Sequence, residues 1–217
     1  MATEALVDFL RVNLPVAPVP GVPEIDLHKA VPASGLKRLA DADANFGSPY
    51  WAYHWAGGLA LARHVLDHPD IAAGKRVLDL GSGGGLVAIA AAKAGAAHVI
   101  AAETDPYGVA VLPLNAALND VTIEVLRADP TEGPPSQVDI VLVGDLFYAP
   151  DVAARVTAFL DRCLAAGQMA LIGDPWRAHL PVARLQEISR YEVLETGNKP
   201  QMSGVFAFMR QFDSPDN

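Results

Sequence analysis

Two periods alternate along the middle of the chain. Between residues 76 and 174, short apolar runs alternate with segments whose apolar residues recur at helical spacing. Strands are predicted at 77–80, 97–103, 121–126, 138–144 and 168–173, and helices at 86–94, 106–118 and 149–164. A further helix is expected over 179–190. Strands over 191–195 and 205–211 then close the chain as an antiparallel hairpin, since no helix-length segment separates them. Such alternation predicts an α/β fold, a doubly wound and mostly parallel sheet with helices on both faces. Upstream, Ala5, Leu6, Phe9 and Leu10 predict a helix over 3–14. Pro15, Pro18, Pro20 and Pro23 make 15–23 read as a stiff extended linker. Residues 24–44 carry short signals of either kind. The expected organisation is an N-terminal helix and proline-rich extension over 1–46 packed on the core, a main domain over 47–212 and a frayed tail over 213–217.

The glycine-rich turn after the first of these strands carries the chemistry. Asp79-Leu-Gly81-Ser82-Gly83-Gly-Gly85 joins a buried strand to an alanine-rich helix. A dinucleotide fingerprint needs glycine at its first, third and sixth positions, and the sixth here is Leu86. Asp79 would also meet a pyrophosphate with the wrong sign. A carboxylate at this place suits a cationic ligand without phosphate, such as S-adenosyl-L-methionine, with its sulfonium and ammonium groups. The loop resembles the first motif of the class I methyltransferases that use it.

Ligands of open parallel sheets lie beyond the carboxyl ends of the strands, so the residues that end each strand matter most. Glu103 ends the second strand and can accept from both hydroxyls of a ribose, whereas Asp105, just before Pro106, suits a helix N-cap. Asp129 follows the third strand and either accepts from an adenine amine or serves as a turn carboxylate before Pro130. Gly144-Asp145-Leu146-Phe147-Tyr148 ends the fourth strand. There Asp145 can align a substrate amine, with Phe147 and Tyr148 as its wall. Tyr50, Trp51, Tyr53 and Trp55 place four of fifteen aromatic residues within six positions. That density suits either a lid over a planar ligand or an apolar plug between extension and core. His54 reads as a polar wall residue. Trp176, Arg177 and 199–202 are candidate substrate contacts.

Composition narrows the partners. The 217 residues are 51% hydrophobic and carry a formal charge of −9, with no basic block. Phosphate-driven nucleic-acid binding is therefore disfavoured, and a basic or lysine-bearing partner is favoured. No metal site is expected. Cys163, a lone cysteine in an apolar helical pattern, reads as a core residue and permits no intramolecular disulfide. No basic-then-apolar leader and no run of membrane-spanning length stand in the sequence, so a cytoplasmic, non-membrane, monomeric protein is expected.

Several stretches together resemble one family, the electron transfer flavoprotein β-subunit lysine methyltransferases. They are Pro49-Tyr50-Trp51-Ala52 with Trp55-Ala56-Gly57-Gly58, the Asp79 loop, Asp105-Pro106, Asn115 and Asn119, Gly144 to Tyr148, and Leu171-Ile-Gly-Asp174-Pro175. The resemblance covers roughly 47–212. It implies a class I, Rossmann-like seven-stranded fold and methylation of lysines beside the flavoprotein's recognition loop. It also implies cofactor binding by Asp79, Gly81, Gly83 and Glu103, with Trp55 nearby, while Asp145 and Tyr148 face the lysine. Ser82, Asp129 and Asp145 complete the expected cofactor set; Trp51, Phe147 and Trp176 form the expected substrate set. One departure stands at the second strand, where Ala102-Glu103 replaces the family's Asn-Asp. Other readings stay open at this point: a methyltransferase of a ribosomal or other protein, one acting on a small amine, a nicotinamide-dependent dehydrogenase, and a non-catalytic protein that keeps the fold.

Overall fold

The computed structural model describes residues 3–195 and 200–210. The expected tail at 213–217 and the candidate contact Lys199 lie outside them. Among the described residues, a seven-stranded sheet is built from β3 (Arg76–Leu80), β4 (His98–Ala102), β5 (Glu124–Leu126), β6 (Ile140–Gly144), β7 (Met169–Asp174), β8 (Leu185–Leu194) and β9 (Pro200–Phe208). Its order is β5-β4-β3-β6-β7-β9-β8. β3 to β7 are parallel, and β9 runs antiparallel to both β7 and β8. The chain order reverses between β3 and β6, so a crevice opens beyond their carboxyl ends.

Strand residues alternate between two cores, as the period of two requires. Val77, Ile140 and Leu142 face one side, with α3 (Ala56–Asp67) and α4 (Leu86–Lys93); Leu78, Val141 and Val143 face the other, with α6 (Pro150–Ala165) and Cys163. The expected helix at 106–118 is present as α5 (Pro106–Leu118), N-capped by Asp105, whose carboxylate accepts from Tyr107 N at 2.7 Å. No helix among the described residues is long and apolar enough to cross a membrane.

Two elements differ from the sequence-based expectation. Residues 15–23 are no linker: β1 (Val16–Val19) and β2 (Val22–His28) form an antiparallel hairpin that turns at Pro20-Gly21. A two-stranded ribbon tolerates proline because its outer edges need no donor, and Val19, Val22, Ile25 and Leu27 give it a buried face. Residues 179–190 form no α-helix. After a short turn at Val182–Arg184 they enter β8, which pairs with β9 from Leu185 to Leu194. The free edge of β9 supplies the hydrogen-bonding partner that makes this segment a strand.

The hairpin is held by two asparagines one turn apart, Asn115 on α5 and Asn119 at its C-cap, and Asn115 also reaches the glycine loop. Asn119 both accepts from and donates to the Asp26 backbone, at 3.0 and 2.7 Å, in place of a neighbouring strand. Asn115, fully buried, accepts from His28 N and donates to Gly84 O, both at 2.8 Å. Asn115→Ala strands one buried donor and one acceptor. It is expected to cost about 3 kcal/mol in urea unfolding, and a loss under about 1 kcal/mol would deny the tie.

Candidate active site

A cavity of about 560 Å³ opens beyond the carboxyl ends of β3, β4 and β6. The glycine loop forms its floor. Gly81, Gly83 and Gly85 have φ of 71°, 53° and 90°, conformations that turn β3 directly into α4. A Cβ on Gly84 would lie 2.7 Å from Trp51 O, so the aromatic segment packs on this loop through backbone.

Asp79 ends β3 at the cavity wall, 2% exposed. Its Oδ2 accepts from Ser82 Oγ at 2.7 Å and from Ala88 N at 3.0 Å, so the Ser82 hydroxyl is committed to holding this carboxylate. Burial, with Glu103 repulsion adding to it, pushes the Asp79 pKa up to about 7 from an ordinary 3.8. A raised carboxyl pKa means that the folded state holds its proton longer than the unfolded chain does. Stability is therefore lost between about pH 4 and 7 as pH rises, by at most about 1.4 kcal/mol per unit. The stability of wild type relative to Asp79→Asn is expected to fall across that window in urea titrations. A gap independent of pH would contradict the assignment.

Glu103, 3% exposed, follows β4. Its Oε1 accepts from the Tyr50 hydroxyl at 2.7 Å and from the backbone N of Thr104 and Asp105 at 2.7 and 2.8 Å; its Oε2 accepts from Gly83 N at 2.8 Å. Burial and the facing carboxylate raise the Tyr50 pKa, so the phenol stays a donor. Asp129 lines the cavity and caps the Pro130–Glu132 turn, accepting from Thr131 N at 2.9 Å. Both roles weighed for Asp129 are thus geometrically open.

Asp145 sits at the far rim with φ of 59°, an uncommon conformation for a residue with a side chain. Its Oδ2 accepts from Gly58 N at 2.7 Å, and its Oδ1 from Arg177 Nη2 at 2.7 Å. Burial raises its pKa while Arg177 pulls it down. Gly58 belongs to the first turn of α3, whose unpaired amides welcome a carboxylate. α3 reaches the strand ends because Gly57 and Gly173 meet backbone to backbone, with no room for a Cβ on either. Tyr148 and Trp55, 60% and 40% exposed, stand at the mouth, and Trp55 Nε1 donates to Tyr50 O at 3.2 Å. His54 lines the wall, its pKa lowered to about 4 by burial and then by the Lys29 charge, so it is neutral at pH 7.

Three expected substrate contacts do not reach the cavity. Trp51 is buried, stacked on Tyr107 with ring centroids 6.0 Å apart, where it plugs the extension to the core. Phe147 is wholly buried under the sheet with Phe159 and Val143. Trp176 packs edge-on against Phe206, with Arg190 over its ring. In each case packing on a neighbouring apolar or aromatic side chain claims the ring. The sequence did not pair Tyr50 with Glu103, nor Arg177, a candidate substrate contact, with Asp145. The first lay within the noted aromatic cluster, but pairs 53 and 32 residues apart leave no local signal.

The electrostatics select a class of ligand. Among the described residues, Asp79, Glu103, Asp129 and Asp145 line the cavity, and its arginines are already paired. Arg155 lies 3.6 Å from Asp129 and 3.5 Å from Asp151, and Arg177 is held by Asp145. A phosphate would meet carboxylates there, whereas a cationic ligand meets counter-charges.

Comparisons with known proteins agree with that geometry. A family model described as ribosomal protein L11 methyltransferase (PrmA) matches residues 60–147. A Xenopus laevis protein described as electron transfer flavoprotein beta subunit lysine methyltransferase is 37% identical over 183 residues, 82% of this chain and 74% of its own. The Rattus norvegicus protein of the same description is 38% identical over 156 residues; that match takes in 69% of this chain and spans 61% of the relative's length. In fold, a 16S rRNA methyltransferase from T. thermophilus, solved in complex with AdoMet and guanosine, superimposes with a TM-score of 0.57 at 19% identity, over 91% of this chain and 50% of that one.

Proposed function

The chain belongs to the electron transfer flavoprotein β-subunit lysine methyltransferase family, and from that premise we propose that it moves a methyl group from S-adenosyl-L-methionine to a lysine ε-amine of that flavoprotein subunit. The observation that carries this reading is the acid-walled cavity at the point where the strand order reverses, with its arginines already paired. The donor set fits the cofactor. Glu103 would accept from the ribose hydroxyls, with the Tyr50 phenol as the donor that can give way. Asp79 would offset positive charge above the glycine loop, and Asp129 would accept from the adenine amine. Gly81, Ser82 and Gly83 supply a floor that a ligand can approach closely, and Trp55 walls the mouth.

When bound, this cofactor supplies a methyl group made electrophilic by its sulfonium charge. The protein's part is to present the amine in line and free of its proton. Loss of that proton at pH 7 costs about 5 kcal/mol from a reference pKa near 10.4. Asp145, fixed by Gly58 N and Arg177, and Tyr148 at the mouth are the groups placed to orient the amine. Asp145→Ala is expected to lower methyl transfer at least about 100-fold while S-adenosylhomocysteine affinity, read by calorimetry, changes less than about threefold. Loss of cofactor affinity in step with activity would remove Asp145 from the substrate side.

A further inference from the structure

Arg177 lies at the reactive rim without a role in cofactor binding. Its Nη2 and Nε donate to the same Asp145 oxygen at 2.7 and 3.2 Å, and its backbone N donates to Asp174 Oδ1 at 2.7 Å. The turn that delivers it passes through Trp176 with φ of 59°. Asp174 is fully buried, and its Oδ2 has no partner. Glu195 reaches the same place from beyond β8, accepting from Ala56 N at 3.3 Å, and its charge is felt at Asp145. The groups facing Asp145 are thus Arg177, Asp174 and Glu195, with the amides of α3. Asp79 and Glu103 lie across the cavity floor.

This arrangement answers a difficulty in the reaction proposed above. A bare carboxylate beside a lysine favours the ammonium, which has no lone pair to attack with. Asp174 and Glu195, outside the cavity lining but close enough to be felt at Asp145, add negative charge to the same rim. Resting on that functional reading, we infer that Arg177 is a positioning residue for methyl transfer: it fixes the Asp145 carboxylate and offsets its charge, so that the lysine enters as the neutral amine. The proton leaves to solvent before transfer. The amine nitrogen then forms the new bond to carbon as the carbon–sulfur bond breaks toward sulfur.

Arg177→Met and Arg177→Lys separate charge from shape. The acidic limb of the kcat–pH profile on a lysine substrate, the purified flavoprotein β subunit, is expected to move up by about one pH unit in Arg177→Met. Its deficit, about tenfold at pH 7, should then largely vanish near pH 9. Arg177→Lys keeps the charge and should keep the limb in place, even where loss of the forked geometry lowers the rate. A binding readout needs no substrate. Sinefungin carries an amine where the reactive methyl group stands, so its affinity relative to S-adenosylhomocysteine should rise about tenfold in Arg177→Met at pH 8 and hold steady in Arg177→Lys. An unmoved limb with a uniform loss of rate, or an unmoved affinity ratio, overturns the inference. If Arg177→Met does not fold, Arg177→Gln replaces it in both measurements. A wild type that methylates no lysine overturns the functional reading instead, and the affinity ratio still judges Arg177.

Discussion

Gly57→Ala is expected to destabilise the fold by about 3 kcal/mol or more, among the largest losses a single methyl group can cause here. The added Cβ would overlap the Gly173 carbonyl oxygen, lie 2.6 Å from its carbon and come 2.7 Å from Asp145 Oδ2. Backbone cannot rotate aside as a side chain can, so α3 would have to lift from β7. Lifting it breaks the bond from Gly58 N to Asp145 and moves the rim of the cavity. Gly173→Ala should behave alike, since its Cβ would meet Gly57 O and Leu61 Cβ. The neighbouring glycine is the control. A Cβ on Gly58 meets nothing nearer than Asp145 Oδ2 at 3.9 Å and Val87 at 4.0 Å. Gly58→Ala should therefore be neutral, or stabilising by up to about 1 kcal/mol through helix propensity. Equal urea midpoints for Gly57→Ala and Gly58→Ala would refute the close approach.

Glu103→Ala is expected to weaken S-adenosylhomocysteine binding at least about 100-fold. Two charge-assisted bonds to a ribose are worth about 3 to 5 kcal/mol together. The substitution also strands the amides of Gly83, Thr104 and Asp105 and frees Tyr50, so the loop that should cradle the ligand loses its anchor. Glu103→Gln keeps the shape and one acceptor, and should fall between wild type and alanine. Tyr50→Phe tests the partner, because it removes one donor from Oε1 and leaves the carboxylate. It should change affinity less than about tenfold. Calorimetry with S-adenosylhomocysteine measures all three, and an alanine variant that binds like wild type would move the ribose site away from β4.

Local chemistry was legible along the chain wherever one element decides its own form. β3, the glycine loop and α4 follow from an apolar run, a glycine cluster and an alanine-rich segment. α5 begins where Asp105-Pro106 says it should, and Glu103 ends its strand beside the cavity. The terminal hairpin was legible from the lack of space for a helix between its strands. What stayed hidden depends on distant neighbours. Residues 179–190 carry apolar positions compatible with a helix, yet β9 offers an edge to pair with. The prolines of 15–23 suggested a linker because Asn115 and Asn119, some ninety positions away, complete the edge of β2. Trp51 and Phe147 looked like ligand walls because aromatic side chains serve both as walls and as plugs, and only packing decides between them. Arg177 was legible as a candidate substrate contact but not as the partner of Asp145, which lies 32 residues away.

The central claim is methyl transfer to a lysine of the flavoprotein β subunit. Purified enzyme, methyl-labelled S-adenosyl-L-methionine and the purified flavoprotein of the same host test it most directly, with the modified residue located by tandem mass spectrometry. The account predicts label on one or more lysines of the β subunit, lost with Asp145→Ala and reduced at pH 7 with Arg177→Met. Cofactor binding without any label on that subunit, while another host protein or a small amine becomes methylated, would contradict it.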